Sequence, residues 1–228
     1  ENAPKFLAQA NSTTTAQNVN VANITDNNFT VVWTTDVPVI GNVQYQKQGL
    51  FTWPKSAYDV RDISNRIPRY THFVQVTDLE PSTAYTAKIT SPGIAASDGI
   101  NIKTFAQLST PQQPLDPTFG TLVDRNDNPV TDAVVLTSFG QSQMLAAAVD
   151  DDGNWIIPLG SLRTTDGARF FVPSATDEET VLFLGKSDQA MAVTTVDNDS
   201  PLPTIRLGER YNLTKNGKSS AGPIIAQA

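Results

Sequence analysis

The chain of 228 residues contains no cysteine, and its one histidine is His72. Without cysteine it can form neither a disulfide nor a thiolate metal site. One histidine without cysteine also disfavours zinc hydrolysis and a Ser-His-Asp triad, because both need more ligands or bases than the chain offers. The sequence therefore predicts a protein that is not an enzyme and that has no catalytic residue, no cofactor and no metal.

Positive charge and long hydrophobic runs are also scarce. The chain carries 16 Lys and Arg against 23 Asp and Glu, a formal net charge of -7. Nucleic acid binding requires a basic face, so the negative net charge disfavours nucleic acid and anionic membrane surfaces as partners. No apolar run approaches the length of about 20 residues that spans a bilayer, which predicts no transmembrane segment. The partners that we expect are therefore proteins, including a second copy of the chain, and glycans.

Alternating apolar and polar residues dominate the first half of the chain. In "FTVVWTTD", Phe29, Val31 and Trp33 share one face, as the period of a half-buried strand requires. The same alternation recurs in "NVNVANIT", "GNVQYQKQG", "HFVQVTDL", "TAYTAKIT" and "GINIKTF". About seven short strands separated by turns are the signature of an antiparallel β-sandwich. We therefore predict one such domain over residues 18–106.

Two motifs refine this prediction. "LEPSTAYTAKI" places Tyr85 just after a proline-bearing turn, where its hydroxyl can bond to backbone upstream while its ring fills the edge of the core. The alternative is that Tyr85 is a binding aromatic. Together with "ITDNNFTVVWTTD", this motif resembles fibronectin type III domains, and the resemblance implies that Trp33 is the core tryptophan. We expect the sandwich to be immunoglobulin-like, with Tyr85 as a structural latch.

The sequence pattern in the second half of the chain predicts another sandwich. Residues 107–117 contain prolines and no alternation, which indicates a semi-rigid linker. The segment "TFGTLVDRNDNPVTDAVVLTS" then reads strand, turn, strand, and resembles the carboxypeptidase regulatory-like (transthyretin-like) domains. We predict this domain over residues 118–208, with further strands at "ARFFVPSA", "TVLFLGKS", "AMAVTTV" and "PTIRLG". The predicted fold class is all-β, with two consecutive antiparallel sandwiches.

An acidic turn in the second unit invites a calcium hypothesis. "VDDDGN" brings Asp150, Asp151, Asp152 and Asn154 around a glycine. Calcium takes six to eight oxygen ligands, and the distal glutamate of the full calcium loop is missing here. Asp-Gly is itself the sequence of a tight hairpin tip. We therefore expect a hairpin without a metal, from which Trp155 returns to the core.

A loop in the first unit is a candidate ligand-binding surface. It concentrates arginine in an acidic protein and carries aromatic residues that could stack on sugars; the candidates are Trp53, Tyr58, Arg61, Arg66 and Arg69. The alternative is a solvated loop whose aromatic residues cap the sandwich. A glycan or an anion is the ligand class that this composition indicates.

Both ends of the chain carry apolar residues outside the predicted strands. Residues 1–17 form an N-terminal extension with Phe6 and Leu7, and residues 209–228 form a tail with Ile224 and Ile225. An open sheet edge accepts an added strand through main-chain hydrogen bonds. We therefore expect these segments to mediate self-assembly, unless they serve as linkers or pair with their own sandwich.

These observations predict a structural or adhesive role. Fibronectin-like tandems of this kind are typical of secreted bacterial surface proteins, and the chain begins at Glu1 as a processed product would. We expect a non-catalytic extracellular or cell-surface protein, such as a filament or surface-layer subunit that assembles by terminal strand addition. The alternative is an accessory module of an extracellular hydrolase that binds glycan or protein. "FTVVWTTD" and "GNVQY" also resemble the sandwich that precedes the catalytic domain of purple acid phosphatases.

Overall fold

The computed structural model describes residues 14–49, 53–214 and 222–223. Its described helices are two 3₁₀ turns of three residues, Leu159–Ser161 and Val196–Asn198, so none could cross a membrane. The strands are β1 (Gln17–Ala22), β2 (Phe29–Val39), β3 (Asn42–Lys47), β4 (Lys55–Tyr58), β5 (Arg69–Val76), β6 (Ala84–Ile89), β7 (Ile100–Lys103), β8 (Thr118–Val123), β9 (Val134–Phe139), β10 (Leu145–Ala148), β11 (Asn154–Ile157), β12 (Glu178–Leu184), β13 (Gln189–Thr195), β14 (Ile205–Arg206), β15 (Glu209–Asn212) and β16 (Gly222–Pro223). The predicted all-β class is confirmed.

The first seven strands form one sandwich. One sheet has the order β1-β2-β5 and the other the order β4-β3-β6-β7, with every neighbouring pair antiparallel. The long loop after β3 contributes β4 as an edge strand of the second sheet. Three strands facing four in this order make an immunoglobulin-like sandwich, so the predicted fibronectin type III-like fold is confirmed for this unit.

The alternating residues fill the core of the first sandwich as the pattern predicts. Phe29, Val31 and Trp33 are completely buried between its sheets. The Tyr85 hydroxyl accepts the backbone N–H of Glu80 at 2.9 Å, while its ring lies in the same core. The latch interpretation of Tyr85 is therefore confirmed, and its hydroxyl is committed to the fold.

His72, the one histidine of the chain, is completely buried beside this core. It stands opposite Trp33 on the paired strand, and the two rings stack with centroids 4.6 Å apart. Its Nε2 is 3.3 Å from the Thr35 hydroxyl. Burial lowers the pKa of His72 to about 4, so the ring is neutral at neutral pH. Trp33 explains the deep position, because its ring covers the imidazole.

The remaining nine strands form a second sandwich. A six-stranded sheet, β10-β9-β12-β13-β15-β16, faces a three-stranded sheet, β11-β8-β14. Most pairs are antiparallel, as predicted, but β13 with β15 and β14 with β8 are parallel. The sandwich architecture agrees with the prediction. The finer resemblance to carboxypeptidase regulatory-like domains stays a prediction.

Two local predictions in this unit need correction. The turn around Gly153, whose φ is +79° as Asp-Gly permits, does not close a two-stranded hairpin. Its flanking strands belong to different sheets, because β10 pairs with β9 while β11 crosses to β8 and buries Trp155 between the sheets. The expected strand at "ARFFVPSA" is also absent from the described structure, which has a single bridge there, from Arg163 to Phe170.

The second sandwich extends past residue 208, the end predicted for it from sequence. Strand β15 pairs with β13 inside the six-stranded sheet, because Tyr211 and Leu213 alternate into the core. The Tyr211 hydroxyl accepts the backbone N–H of Arg206 at 2.9 Å, five residues upstream, as Tyr85 does with Glu80. Each sandwich therefore has a tyrosine latch of the same spacing, and only the first is predicted from sequence.

Candidate functional site

The two sandwiches meet through a third hydrophobic cluster, which we call the inter-sandwich interface. Val32 and Phe73 lie on the opposite sheet face from Val31 and Val74. Together with Ala22 they pack on residues of the second sandwich, which are Val134, Leu136, Ala146 and Leu184. Full burial of a Val, Leu or Phe side chain contributes about 1.5–3 kcal/mol, so this contact favours a fixed arrangement of the two units.

Asn23 of the first sandwich forms hydrogen bonds with free backbone groups of an edge strand of the second, and we call this contact edge closure. Its side-chain amide donates to the carbonyl oxygen of Ala146 at 3.0 Å and accepts the N–H of Ala146 at 2.9 Å. Its own backbone N–H donates to the carbonyl oxygen of Met144 at 3.0 Å. Ala146 lies on β10, the edge of the six-stranded sheet, and Met144 directly precedes that strand. An uncovered edge would expose them as a template for another chain, and Asn23 occupies that position instead.

Asp132 of the second sandwich closes an edge strand of the first in return. Its carboxylate accepts the N–H of Tyr70 at 2.8 Å, the N–H of Thr71 at 3.2 Å and the Thr71 hydroxyl at 2.6 Å. Both residues lie on β5, the edge of the three-stranded sheet. Each sandwich therefore sends one polar side chain onto the other's sheet edge.

Arg61 connects this contact to a buried carboxylate. It forms a two-pronged ion pair with Asp59 at 2.8 Å and lies 3.7 Å from Asp132. Burial raises the pKa of Asp59, but its hydrogen bonds to Arg61 and to the N–H of Phe73 outweigh burial and hold the pKa below its usual value. Asp59 is thus ionised at neutral pH and holds Arg61 in place at the interface.

Arg163 joins the sandwiches at the other end of the interface. Its guanidinium donates to the carbonyl oxygen of Ala106 at 2.7 Å and lies 3.7 Å from the Asp26 carboxylate. It also lies 5.6 Å from the Phe105 ring. Only 5% of Arg163 is exposed, and burial lowers its pKa. At Gly167 a side chain would come within 2.0 Å of Phe105, so only glycine allows this approach.

The five residues of the predicted ligand loop are placed as follows. Arg61 pairs with Asp59, as described above, and Arg69 pairs with Asp62 at 2.7 Å. Arg66 lies over the Tyr58 ring at 3.5 Å from its centroid. The structure thus brings Tyr58 and Arg66 together and uses the other two arginines in ion pairs.

Trp53, the fifth residue of that loop, lies apart from the arginines. It is 87% exposed and lines a small cleft of about 210 Å³ with Tyr45, Lys55 and Glu80. None of the other four residues of the loop lines this cleft. Ligand binding by this loop stays a prediction.

A buried pair of acids, Glu179 and Asp199, is the most perturbed group of the second sandwich. Glu179 accepts the Thr137 hydroxyl at 2.5 Å and the Thr118 hydroxyl at 3.2 Å, which links strands from both sheets. Burial raises the pKa of Glu179 to about 8, and the neighbouring Asp199, whose own pKa burial also raises, adds to this. The alternation of the sequence places Glu179 on the same strand face as the buried Val181. A glutamate is nevertheless not predicted to be buried from sequence, because its charge normally keeps it in solvent.

In the acidic turn, the Asp150 carboxylate is engaged by backbone N–H groups of the turn itself. One carboxylate oxygen of Asp150 accepts the N–H groups of Asp152 at 2.9 Å and Asn154 at 2.8 Å. Within residues 14–49, 53–214 and 222–223, no three His, Asp or Glu side chains are grouped as ligands for a metal ion. The geometry of this turn is that of a capped bend between two sheets.

Comparison with known proteins finds neither a family model nor a curated protein that matches the chain. Among solved structures, "Myokine structure" is similar at 23% identity, with 41% of this chain and 99% of that chain covered and a TM-score of 0.34.

Two further solved structures are also similar. The FN5 domain of Drosophila Lar has 20% identity over 40% of this chain and 96% of its own, with a TM-score of 0.30. The FN1–FN3 domains of chicken CNTN1 have 14% identity over 79% and 65%, with a TM-score of 0.29. The assignment of the fold rests on the strand order given above.

Proposed function

We propose that the chain is a non-catalytic structural module of the cell surface or extracellular space, whose two sandwiches act as one stiff body that spaces or presents a partner. The observation that carries this proposal is the reciprocal closure of sheet edges by Asn23 and Asp132. Neighbouring domains move relative to each other by default unless their interface is large and hydrophobic. Here an apolar cluster and directional hydrogen bonds act together.

The linker supports the same function, because it is packed along the second sandwich. Leu115 contacts the hydrophobic core of that sandwich. The carbonyl oxygen of Pro117 accepts the Ser200 hydroxyl at 2.5 Å. Near its start, the carbonyl oxygen of Ala106 accepts the Arg163 guanidinium. A connection held at these points does not provide a free hinge.

The absence of catalysis is supported by the placement of the groups whose pKa values are most shifted. A general acid or base must come within hydrogen-bond reach of its substrate. His72 and Glu179 are both completely buried, and each is engaged by neighbouring hydroxyl groups. Their shifted pKa values follow from burial within the fold, which gives them a structural role.

Self-association by terminal strands is the finer part of the proposal. Phe6, Leu7, Ile224 and Ile225 lie outside the described residues, but the chain next to them is placed. Thr14 bridges to Ile94, and β16 pairs with β15 at the edge of the six-stranded sheet. The described residues next to both termini thus make backbone pairings, and at the edge formed by β16 a strand from another copy could add. Deleting residues 1–13 or 224–228 should lower the mass that light scattering measures, and unchanged mass with both deletions would rule out this route.

A glycan-binding accessory module is the second candidate function. The exposed Trp53 ring at the edge of its small cleft favours it, because an aromatic face can stack on a sugar. On a glycan array, Trp53→Ala should lose selective binding if this function is correct.

Nuclear magnetic relaxation of the backbone amides tests the proposed stiff body. If the two sandwiches are one body, amides in β3 and in β12 will report the same rotational correlation time. Two distinct and shorter times would show that the units tumble separately, and the spacer function would then be wrong.

A further inference from the structure

A cleft of about 440 Å³ opens beside the inter-sandwich interface. The turn between β1 and β2 and strand β5 form one wall, the linker contributes to the floor, and the second sandwich forms the other wall. The residues that carry the argument are Asp26, Gln75, Gln112, Ser161, Arg163 and Phe170. Ligand sites in proteins have volumes of roughly 300–1,000 Å³ and occur preferentially at domain interfaces.

Three polar side chains from three parts of the chain are available in this cleft. Gln75 lies on β5, Gln112 on the linker and Ser161 in the 3₁₀ turn of the second sandwich. None of the three makes a side-chain hydrogen bond to another described residue. Amides and hydroxyls each offer both a donor and an acceptor. The cleft therefore suits a ligand whose groups also donate and accept, as sugar hydroxyls do.

Charge in the cleft is balanced. The Asp26 carboxylate and the Arg163 guanidinium lie 3.7 Å apart, so their charges largely cancel. The Arg163 Nε is buried and has no hydrogen-bond partner among the described residues. The half-buried Phe170 ring, 5.4 Å from that guanidinium, adds an apolar face to the wall. A neutral ligand with polar edges and an apolar face fits this combination better than an anion.

We propose that this cleft binds a neutral carbohydrate of one or two sugar units. Sugar hydroxyls would bond to Gln75, Gln112 and Ser161, and the C–H face of a ring would pack on Phe170. The site is distinct from the Trp53 cleft, and it does not depend on the spacer function. Because its walls come from both sandwiches, a bound sugar would also stabilise their arrangement by mass action.

Saturation-transfer nuclear magnetic resonance with glucose, galactose, mannose, N-acetylglucosamine and their disaccharides tests the proposal. The double variant Gln75→Ala/Gln112→Ala removes two side chains that make no hydrogen bond to other described residues, so its melting temperature should match the unmodified chain. It should bind the responding sugar at least about tenfold more weakly, because two hydrogen bonds are lost. Trp53→Ala serves as the control and should bind normally.

Four results would overturn the proposal. The first is that no sugar of the panel binds. The second is that the double variant binds as well as the unmodified chain, and the third is that Trp53→Ala abolishes binding, which would assign the sugar to the other cleft. Glucuronate is a further probe, and tighter binding of this anion than of glucose would contradict the neutral character of the site.

Discussion

The side chain of Asn23 exchanges two hydrogen bonds with the backbone of Ala146, donating to its carbonyl oxygen at 3.0 Å and accepting its N–H at 2.9 Å. A neighbouring strand would make the same pair of bonds. One residue of the first sandwich thus stands in for a strand at the edge of the second. With Asp132 acting in the opposite direction, the two units hold each other's open edges.

Removing these contacts should separate the unfolding of the two sandwiches. We expect Asn23→Gly/Asp132→Ala to lose about 2–4 kcal/mol of unfolding free energy, because buried backbone groups on β10 and β5 lose their partners. Glycine at position 23 keeps the φ of +52° without strain. Denaturant unfolding followed by fluorescence and by circular dichroism should change from one transition to two.

Asn18→Gly is the matched control. Asn18 lies on β1, which ends directly before Asn23, and has a φ of +50°; its side chain bonds to Thr34 within the first sandwich. It should cost less than about 1 kcal/mol and leave a single transition. If this control also splits the transition, the effect at Asn23 does not come from the interface.

The two tyrosine latches should differ in strength. Tyr85→Phe removes one hydrogen bond from a backbone N–H and should cost about 1 kcal/mol. Tyr211→Phe also removes the bond that its hydroxyl donates to the Glu209 carboxylate at 2.7 Å, so it should cost more, about 2 kcal/mol. Trp33→Ala should cost about 3–5 kcal/mol, because it empties the centre of the first core. Thermal denaturation measures all three, and unchanged melting of Trp33→Ala would contradict its buried position.

The first latch could be predicted from sequence, and the second could not. "LEPSTAY" has a proline turn and a resemblance to a known domain to mark Tyr85. Tyr211 follows a short two-residue strand and a Leu207-Gly208 turn, which give no strong period. In both sandwiches the tyrosine lies five residues after the residue whose backbone N–H its hydroxyl accepts. This shared spacing can be recognised as a signal only when both hydrogen bonds are known.

The sequence contains a signal of the inter-sandwich interface, which is a departure from the simple alternation of apolar and polar residues. Val32 and Phe73 occupy positions where a half-exposed strand would carry polar residues, so both faces of their sheet are apolar. This pattern indicates a sheet covered on both sides, but it does not identify what covers it. The contacts of Asn23 and Asp132 join residues far apart in sequence, and local pattern cannot predict them.

Stability should fall at alkaline pH because of Glu179. Its folded pKa of about 8 lies above its unfolded value, so its contribution is fully present below the unfolded pKa and is lost as pH rises through 8. Most of the loss falls between the unfolded pKa and 8, and the dependence flattens above 8. From about pH 7.5, where His72 is neutral in both states, to about pH 9, the unfolding free energy should drop by slightly less than about 1 kcal/mol.

Glu179→Gln should remove most of this pH dependence, since an amide does not ionise. Its neighbour Glu178 is exposed on the same strand, and Glu178→Gln is therefore the control that should keep the dependence. A pH profile that is unchanged in Glu179→Gln would show that the buried acid is not its source.

Calcium and chelator should both leave the melting temperature unchanged. The Asp150 carboxylate already accepts two backbone N–H groups, so binding a cation would break the turn that positions it. A rise of several degrees in millimolar calcium would show that these acids, or Asp197, serve as ligands.

The distance between the two sandwiches in solution tests the central claim most directly. The chain has no cysteine, so Lys88→Cys and Ile156→Cys, at exposed positions on β6 and β11, can carry spin labels without competing sites. Pulsed electron resonance should give one narrow distance distribution, which broadens in the Asn23→Gly/Asp132→Ala background. A broad or multiple distribution in the chain without those two changes would contradict a stiff, edge-closed pair of sandwiches.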